Sequence, residues 1–442
     1  MNINWRIIIP ISSILIVGTG TIIAVQFVRG NTINPTTGEI TETGVLSINS
    51  QPTGAAIYIN DRLQSATNTN ISFLDTGKYN IRLTKEGYRP WEKQIIVNNQ
   101  LVTKIDAILW PATPDPTPIT TTGIVNPVIS PDKTKIVYAI KFSEEDKAGL
   151  WILDMNKKAV FNNTTTEFRQ LTRNNTNVDY SNAKIIWSPD SSEILASLTD
   201  ATQTNRNYLI DISRFNNNPP DITLSLAGVA NQWLKEYKER ETLLKQDLKN
   251  NPKVQEIYSQ STIPVKWSYD GDLVLYGVGG SGIVVNQLEL NTPKATPTKT
   301  PSKATASATP TQSTNLENPE ALTDNITLDE YLAIRKSPLP QEIQMKVYNT
   351  KTDQTYDLPY ARFYDWYPVE EKVEREIQHL LMVEDSGISM IESDGQNKST
   401  IYAASFDPTS VFLWPDGGRI IISANFNPNA GSEPNLYTIS LR

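Results

Sequence analysis

The first candidate for chemistry is a glycine-rich run, residues 277–282, which has the glycine spacing of a dinucleotide-binding loop. Such a loop binds a pyrophosphate with backbone N–H groups at the start of a helix. The residues that follow, 283–290, instead alternate between apolar and polar types, and this pattern predicts a strand. The sequence therefore favours a glycine-rich hairpin tip, and Ser281 lacks the flanking residues of a nucleophile elbow.

Histidine, cysteine and acidic residues offer little further chemistry. The chain has no cysteine, which excludes disulfides, thiolate metal sites and thiol nucleophiles. Its one histidine, His379, lies in an apolar run without an identifiable partner, so we predict a strand residue rather than a catalytic one. The acidic groups at 144–146 and 370–371 lie in polar segments, where solvated carboxylates are commoner than metal ligands. We therefore predict no catalytic residue, no cofactor and no metal site.

Length and charge limit the classes of protein that remain. The 442 residues exceed the usual size of one domain, about 100 to 200 residues, so two or more units are expected. The chain has 40 basic and 48 acidic residues, a net charge of −8. Without a local basic cluster, this balance argues against an extended nucleic-acid surface.

The N-terminal region contains an uncharged, mostly apolar run, residues 7–28, between Arg6 and Arg29. A run of this length can cross the hydrocarbon core of a bilayer as a helix. A cleaved signal peptide is the alternative, but the hydrophobicity continues beyond the small residues at 18–20, which favours an uncleaved anchor over residues 1–30. The anchor residues that we single out are Ile7, Ile14, Leu15, Ile23 and Val28.

The orientation of this anchor depends on few charges. The α-amino group and Arg6 precede the run, and Arg29 follows it. By the positive-inside rule this balance leans towards a cytoplasmic N-terminus. We therefore expect a single-pass protein of the cell membrane, with a spacer at 31–43 and the remaining domains outside the cytoplasm.

Residues 44–110 contain short alternating runs separated by turn-forming residues, a pattern that predicts a compact antiparallel β-sandwich. The segment resembles the PEGA domain at residues 52–55 (Pro-Thr-Gly-Ala), 57–60, 77–79 and 85–88. The second position of the signature departs from the family pattern, because Thr53 occupies it. The resemblance implies a non-catalytic β module of envelope-associated proteins. A proline-rich segment, 111–118, follows, and its composition predicts a semi-rigid linker.

A short motif recurs through the rest of the chain. Its clearest copy is Trp187 to Asp190 (Trp-Ser-Pro-Asp), and variants occur at 129–132, 267–270, 366–368 and 414–417. Each copy ends one apolar run and precedes another, which predicts a strand, a tight turn and a second strand. We assign the motif residues to blade packing and turn formation rather than to ligand binding. These residues are Pro131, Asp132, Trp187, Pro189, Asp190, Trp267, Asp270, Trp366, Trp414 and Asp416.

The spacing of the motif predicts a β-propeller over residues 119–442. Two intervals are long, and each contains an insertion: an amphipathic helical segment at 228–261, and a Thr/Pro/Ser/Ala/Lys-rich segment at 291–325 that we expect to be disordered. Without them the repeat is about 40 to 50 residues, the size of a four-stranded blade. The pattern resembles the TolB-like branch of WD-repeat-type propellers, with five to six blades. We also expect residues 119–125 to pair with the last blade and close the ring.

The sequence thus predicts a mainly β protein with an N-terminal transmembrane helix, a small PEGA-like β-sandwich and a β-propeller with a helical insertion. The leading function is a membrane-anchored envelope scaffold that binds a protein or ligand without catalysis. Its expected partners are the membrane and an envelope protein or cell-wall ligand. Two alternatives stay open at this point: a structural protein that attaches a surface layer or cell wall, and a propeller-type hydrolase or lyase.

Overall fold

The structure is a computed structural model that describes most of the chain. The described residues are 5–28, 32–33, 40–41, 43–141, 147–156, 167–246, 251–280, 327–336, 339, 342–368, 377–426 and 432–442. The predicted strand at 283–290, the predicted disordered insertion at 291–325 and the acidic groups at 144–146 and 370–371 lie outside these residues.

The N-terminal run forms helix α1 (Trp5–Val28), followed by a small hairpin of β1 (Thr32–Ile33) and β2 (Ile40–Thr41). In the described part of the chain, no helix is at once long enough and apolar enough to cross a bilayer. The predicted transmembrane span is therefore not confirmed. Polar side chains occur inside the helix, and the hydroxyls of Thr19 and Thr21 donate to carbonyl groups one turn earlier. The side chains of Ile14 and Leu15 are exposed. Those of Ile7, Ile23 and Val28 lie outside the described residues.

The small β-sandwich is built from seven strands in two sheets. The strands are β3 (Thr43–Gln51), β4 (Ala56–Ile59), β5 (Arg62–Ala66), β6 (Thr69–Asp75), β7 (Gly77–Thr84), β8 (Trp91–Val97) and β9 (Val102–Ile108). One sheet has the order β6-β3-β9 and the other β5-β4-β7-β8, and their apolar faces enclose a core that includes Ile48, Ile57 and Leu83. The sandwich is not wholly antiparallel as predicted, because β3 and β9 pair in parallel. Strand β6 runs antiparallel to β3. The chain then passes through β7 and β8 of the other sheet, and it returns as β9 in the same direction as β3.

The second domain begins with β10 (Thr117–Pro118) and contains five sheets in the described residues, which we number as blades 1 to 5. Blade 1 has β11 (Val125–Ile129), β12 (Lys135–Ile140), β13 (Gly149–Asp154) and β14 (Glu167–Gln170); blade 2 has β15 (Lys184–Trp187), β16 (Glu193–Thr199) and β17 (Asn205–Asp211). Blade 3 has β18 (Lys266–Trp267), β19 (Leu273–Val278), β20 (Gln344–Asn349) and β21 (Gln354–Asp357). Blade 4 has β22 (Phe363–Trp366), β23 (His379–Val383), β24 (Ile388–Glu392) and β25 (Ser399–Tyr402); blade 5 has β26 (Val411–Leu413), β27 (Arg419–Ala424), β28 (Asn435–Ser440) and β10.

Buried apolar clusters join neighbouring blades into a ring. Shared clusters connect blade 1 to blade 2, blade 3 to blade 4, blade 4 to blade 5 and blade 5 to blade 1. Between blades 2 and 3 lie α2 (Leu226–Gln246), α3 (Pro252–Gln260) and α4 (Leu328–Lys336). Helices α2 and α4 pack on blade 2, and α3 packs on blade 3. In the part of the ring that the structure describes, helices therefore occupy the place between these two blades, and α2 and α3 coincide with the segment in which the sequence predicts a helical insertion.

The N-terminal end of the second domain closes the ring. Strand β10 pairs with β28, with Thr117 opposite Thr438, and the Ile119 N–H donates to the Leu436 carbonyl at 2.9 Å. The Ile124 N–H donates to Pro434 O at 2.7 Å. The predicted partner is confirmed, but strand pairing begins at Thr117. The last residues of the proline-rich linker therefore belong to blade 5. Pro118 is tolerated in β10 because β10 is an edge strand, where the missing N–H of proline need not leave a ladder hydrogen bond unmade.

Candidate binding site at the channel mouth

The aspartates of the repeated motif cap the turns between the first and second strands of their blades. In blade 2, Asp190 Oδ1 accepts a hydrogen bond from Ser188 Oγ at 2.6 Å and from the Ser192 N–H at 3.1 Å. Asp132 and Asp270 accept the same pair of bonds in blades 1 and 3. Asp416 accepts from the Gly418 N–H at 2.7 Å. These carboxylates therefore satisfy the turn backbone, as side-chain caps do in other tight turns.

The motif tryptophans join one blade to the next. Trp187 Nε1 donates to the Val128 carbonyl of blade 1 at 3.2 Å, and Trp366 Nε1 donates to the Lys266 carbonyl of blade 3 at the same distance. Trp267 of blade 3 instead donates to the Tyr258 hydroxyl of α3, at 2.8 Å. This different partner is consistent with the order of the elements around the ring, because α3, rather than blade 2, packs against blade 3 at this position. In blade 5, Arg419 stacks over the ring of Trp414.

The motif turns share one face of the propeller, which we call the motif face. Within an antiparallel sheet, the end of the first strand, the start of the second and the end of the third lie on the same side. In blade 4 the motif face therefore contains Trp366, His379 and Glu392, and in blade 3 it contains Tyr269. Tyr360 follows the last strand of blade 3 and lies on the opposite face.

Three charged residues from three blades lie close together on the motif face, at a place that we call the channel mouth. Lys133 lies in the turn of blade 1, and its Nζ is 2.6 Å from Asp365 Oδ1 of blade 4. Blades 1 and 4 are not neighbours in the ring, so this ion pair reaches across the mouth. Lys266 of blade 3 donates from Nζ to the Tyr364 carbonyl at 2.8 Å, and its ammonium lies 4.3 Å from the centroid of the Phe363 ring.

The pKa values at this mouth follow from crowding and charge. Desolvation between the blades lowers the pKa of Lys266 to about 8; Asp365 opposes this shift, and Lys133 adds to it. Desolvation also acts to lower the pKa of Lys133, but Asp365 and Tyr269 outweigh it, so the net pKa of Lys133 is raised. The Lys133 side chain nevertheless remains 42% exposed. Among the residues that the structure describes, the mouth thus holds two ammonium groups near one carboxylate, and the Lys133 side chain is in contact with solvent.

The sequence analysis did not identify Lys133, Lys266 or Asp365, because a single lysine or aspartate carries no motif. A signal is present once the motif copies are aligned, however. Lys266 and Asp365 occupy the same position, directly before the tryptophan, in the third and fourth copies. The corresponding residue of the second copy is Ile186, which packs in the core with α2.

The turns of the small β-sandwich interlock through a few polar contacts. The Pro52–Ala55 signature turn is joined to the Lys85 turn, because Lys85 Nζ donates to the Thr53 carbonyl at 2.9 Å. Thr67, in the loop between β5 and β6, accepts from the Ala55 N–H at 2.9 Å and shares a 2.6 Å hydrogen bond with Ser50. The sequence of this sandwich matches the PEGA domain family over residues 43–112.

Residues 43–112 form a PEGA domain. The match extends one residue before and two residues beyond the segment proposed from the sequence. A search of the curated proteins finds no match to the chain.

Several solved propellers are similar to the chain in fold. TolB from Acinetobacter baumannii is 10% identical over 82% of this chain and 60% of its own, with a TM-score of 0.21, so the match spans less than two thirds of that protein. The β-propeller domain of the Trilobed protease from Pyrococcus furiosus is 10% identical over 90% and 95%, with a TM-score of 0.20. A putative TolB from Agrobacterium tumefaciens is 11% identical over 73% and 84%, with a TM-score of 0.19. The solved structures similar to the chain thus include TolB proteins and a protease propeller domain.

The PEGA domain is docked on blade 4 by buried ion pairs. Lys93 Nζ lies 2.7 Å from Glu392 Oε2 and 2.5 Å from Asp394 Oδ2. Only 7% of the Lys93 side chain and 2% of the Glu392 side chain are exposed. Trp91 Nε1 donates to the second oxygen of Glu392, so this carboxylate is satisfied from the PEGA side at both oxygens.

Aromatic packing completes this junction. Trp110, at the end of the PEGA domain, contributes to the apolar cluster of blades 4 and 5. Its ring meets Tyr367 edge-on at a centroid distance of 5.3 Å and His379 at 5.5 Å. His379 lies on β23, as predicted, and is buried opposite Glu392. Burial by itself would raise the pKa of Glu392, but His379, Lys93 and Trp91 outweigh it and lower that pKa.

Proposed function

We propose that the protein is an envelope-associated scaffold that binds a partner or ligand at the propeller without catalysis. The match to the PEGA family over residues 43–112 supports a link to the envelope, because the resemblance to this family implies an envelope-associated protein. Propeller folds support binding through loops and a central channel without requiring chemistry.

The observation that carries this proposal is the docking of the PEGA domain on the motif face. Lys93 and Trp91 are buried against Glu392, and Trp110 enters the core of blades 4 and 5. Inter-domain contacts that include desolvated ion pairs and core aromatics restrict relative motion. The PEGA domain would therefore hold the propeller in one orientation and leave the Lys133–Asp365 mouth beside it for a partner.

Site-specific photo-crosslinking in the full-length protein tests this proposal. A photoreactive phenylalanine analogue would replace Tyr269, which is 55% exposed on the motif face, in cells that retain an intact envelope. Tyr360 is a matched control, since it is an exposed tyrosine on the opposite face. Phe73, 48% exposed on the PEGA domain, reports on attachment through that domain.

The three positions separate the proposal from the structural attachment role. We expect crosslinked products from position 269 that are absent from position 360. Products from position 73 alone would contradict a propeller scaffold and favour a structural attachment role for the PEGA domain. Products from neither domain would contradict both.

We also propose that the N-terminal run 7–28 anchors the protein in the cell membrane as a single pass, with its domains outside the cytoplasm. The support is the uncharged run 7–28 of the sequence between Arg6 and Arg29. An anchored protein should stay in the membrane pellet after an alkaline carbonate wash and be digested by protease added outside. Release by the wash would contradict the anchor, and protection from protease would contradict the orientation.

A further inference from the structure

The outer face of one PEGA sheet changes from apolar to polar along its strands. At the end where β3 begins, Val45 pairs with Val102 of β9. An irregularity in the pairing of β3 with β6 places Phe73 beside Val45 on the other side. The next outward row along the sheet is polar, and it consists of Asn70, Ser47 and Lys104. The apolar side chains of this outer face therefore lie at one end of the domain.

The loop between β8 and β9 extends this apolar surface. The Leu101 carbonyl accepts from the Val45 N–H at 3.0 Å, which places the loop against the start of β3. On β8, the Ile96 carbonyl accepts from the Thr103 hydroxyl at 3.3 Å. Four apolar side chains that are about half exposed or more thus surround the start of β3, and we call this set the apolar end: Phe73 (48%), Ile96 (53%), Leu101 (57%) and Val102 (66%).

The apolar end lies on the side of the PEGA domain away from the propeller. Strand β8 begins at Trp91, which donates to Glu392 of blade 4, and it runs from this junction to Ile96 and beyond. Strand β9 begins at the apolar end and leads back to Trp110, in the core of blades 4 and 5. The rise of a strand, about 3.3 Å per residue, separates Ile96 from Trp91 by about 17 Å. The PEGA domain thus holds the apolar end at a distance from the propeller.

The chain arrives at this same end from the N-terminal run. Strand β3 starts at Thr43, and the hairpin before it pairs Thr41 with Thr32. Because this pair brings the two arms of the hairpin together, the path from Val28 to Thr43 consists of two short stretches and one strand spacing. Its length is about 25 Å at most. A run 7–28 embedded in a bilayer would therefore keep the apolar end close to the lipid surface.

We propose that the apolar end of the PEGA domain contacts the lipid surface, with Phe73, Leu101 and Val102 among the headgroups. This inference rests on the proposed membrane anchor and goes beyond it, because it assigns a second, peripheral contact to a different domain. Surfaces that lie at a membrane interface bury apolar side chains at the headgroup boundary and keep polar ones in water. The polar row that contains Ser47 and Lys104 would face the water.

The contact would set the height of the propeller above the membrane. An anchor alone leaves the domains free to turn about the hairpin. A second contact at the apolar end, together with the buried Lys93–Glu392 ion pair at the other end, would make the PEGA domain a spacer of fixed direction. The propeller would then stand at about the length of a PEGA strand from the headgroups, about 20 Å.

Nitroxide labelling of the full-length protein in phosphatidylcholine nanodiscs tests this proposal. The chain has no cysteine, so a single label can be attached at Leu101→Cys. Leu63→Cys is the matched control, because Leu63 is a 64% exposed leucine of the same domain that is level with Glu92, next to the junction. The measured quantity is the ratio of two collision rates, one with oxygen, which concentrates in lipid, and one with a water-soluble nickel chelate.

We expect the oxygen-to-nickel ratio at position 101 to exceed that at position 63 several-fold. Ile96→Asp together with Val102→Asp should lower the ratio at position 101 to the control value, because a carboxylate is costly to remove from water. Equal ratios at 101 and 63 would overturn the proposal, as would an unchanged ratio in the double aspartate variant. Low collision rates with both reagents at 101 would also overturn it, since they indicate a protein, such as a second copy, over the apolar end.

A failure of the contact is distinguishable from a failure of the anchor. Protein that separates from the nanodiscs contradicts the anchor and, with it, the lipid contact. Protein that stays in the nanodiscs with equal ratios at the two positions overturns the contact alone. In the crosslinking experiment, lipid adducts at position 73 would agree with the contact, whereas protein adducts there report on attachment.

Discussion

Replacing Lys93 by methionine should release the PEGA domain from the propeller. The substitution preserves an unbranched side chain of similar length but leaves Glu392 and Asp394 without their shared cation. These carboxylate side chains are only 2% and 10% exposed. Removing one partner of a buried ion pair costs about 3–5 kcal/mol. The docking equilibrium should therefore fall by a factor of about 10² to 10⁴.

The absence of native cysteine makes this change directly measurable. Spin labels can be attached at Arg62→Cys on the PEGA domain and Thr352→Cys on blade 3, two exposed positions. Pulsed electron spin resonance should give one narrow distance distribution in the parent protein and a broad one in Lys93→Met. Lys104→Met is the control, because Lys104 pairs with Asp106 at 2.8 Å but is 45% exposed, and such surface pairs contribute about 0–1 kcal/mol.

A narrow, unshifted distribution in Lys93→Met would refute this reasoning. It would mean that Trp110 and its apolar neighbours hold the domains together without the ion pairs. A broad distribution already present in the parent protein would refute the fixed junction itself. Restoration of the narrow distribution by combining Lys93→Met with Glu392→Gln and Asp394→Asn would show that stranded charge causes the release.

Three further predictions concern stability. Docking should weaken in acid. The folded-state pKa of Glu392 is lowered from 4.5, because His379 and Lys93 outweigh burial, so its contribution is complete above pH 4.5 and is lost as pH falls through the folded value. Spin-label distances measured against pH would reveal this loss. Trp187→Phe leaves the Val128 carbonyl of blade 1 without its hydrogen bond and should lower the free energy of unfolding by about 1–3 kcal/mol. An unchanged midpoint in urea unfolding would contradict this role of the indole N–H. Gly149→Ala should lower the free energy of unfolding by about 3 kcal/mol or more, because φ of Gly149 is +139° and the added Cβ would lie 2.2 Å from the Thr172 carbonyl oxygen. Gly228→Ala, at a position in α2 with open space around it, should leave this free energy unchanged or raise it by about 1 kcal/mol. Equal effects of the two alanines would contradict this account.

The repeated motif allowed the blades to be found from the sequence because its residues act locally. Asp190 caps a turn within its own motif, and a short-range role leaves a short-range pattern. The fourth copy, Trp366 to Pro368, lacks the aspartate, yet its tryptophan still bonds to the previous blade. The PEGA strands were found for the same reason, because the alternation of apolar and polar residues along a strand is a local pattern set by its one buried face.

The junction and the channel mouth could not be found in this way. Lys93 and Glu392 form their ion pair across 299 positions of the sequence, and no local pattern marks either partner. Lys133 and Asp365 likewise meet only because the ring brings blades 1 and 4 together. Most lysines and aspartates lie on surfaces, so their types alone favour solvation. The parallel pairing of β3 and β9 also depends on how the chain crosses between sheets, which alternation does not record.

The pairing of β10 with β28 also sets an order of folding events. Thr117 and Thr438 are separated by 321 positions, so the contact that closes the ring has a far longer range than the strand pairs within a blade. A chain emerging from the ribosome can form blades 1 to 4 before residues 435–440 exist, but it cannot cover the apolar edge of blade 1 that packs on Ile421 and Leu436. During that interval the incomplete ring is the form most exposed to misassociation. Conditions that slow the synthesis of β28 relative to blades 1 to 4 should therefore affect the yield of folded protein more than its final stability.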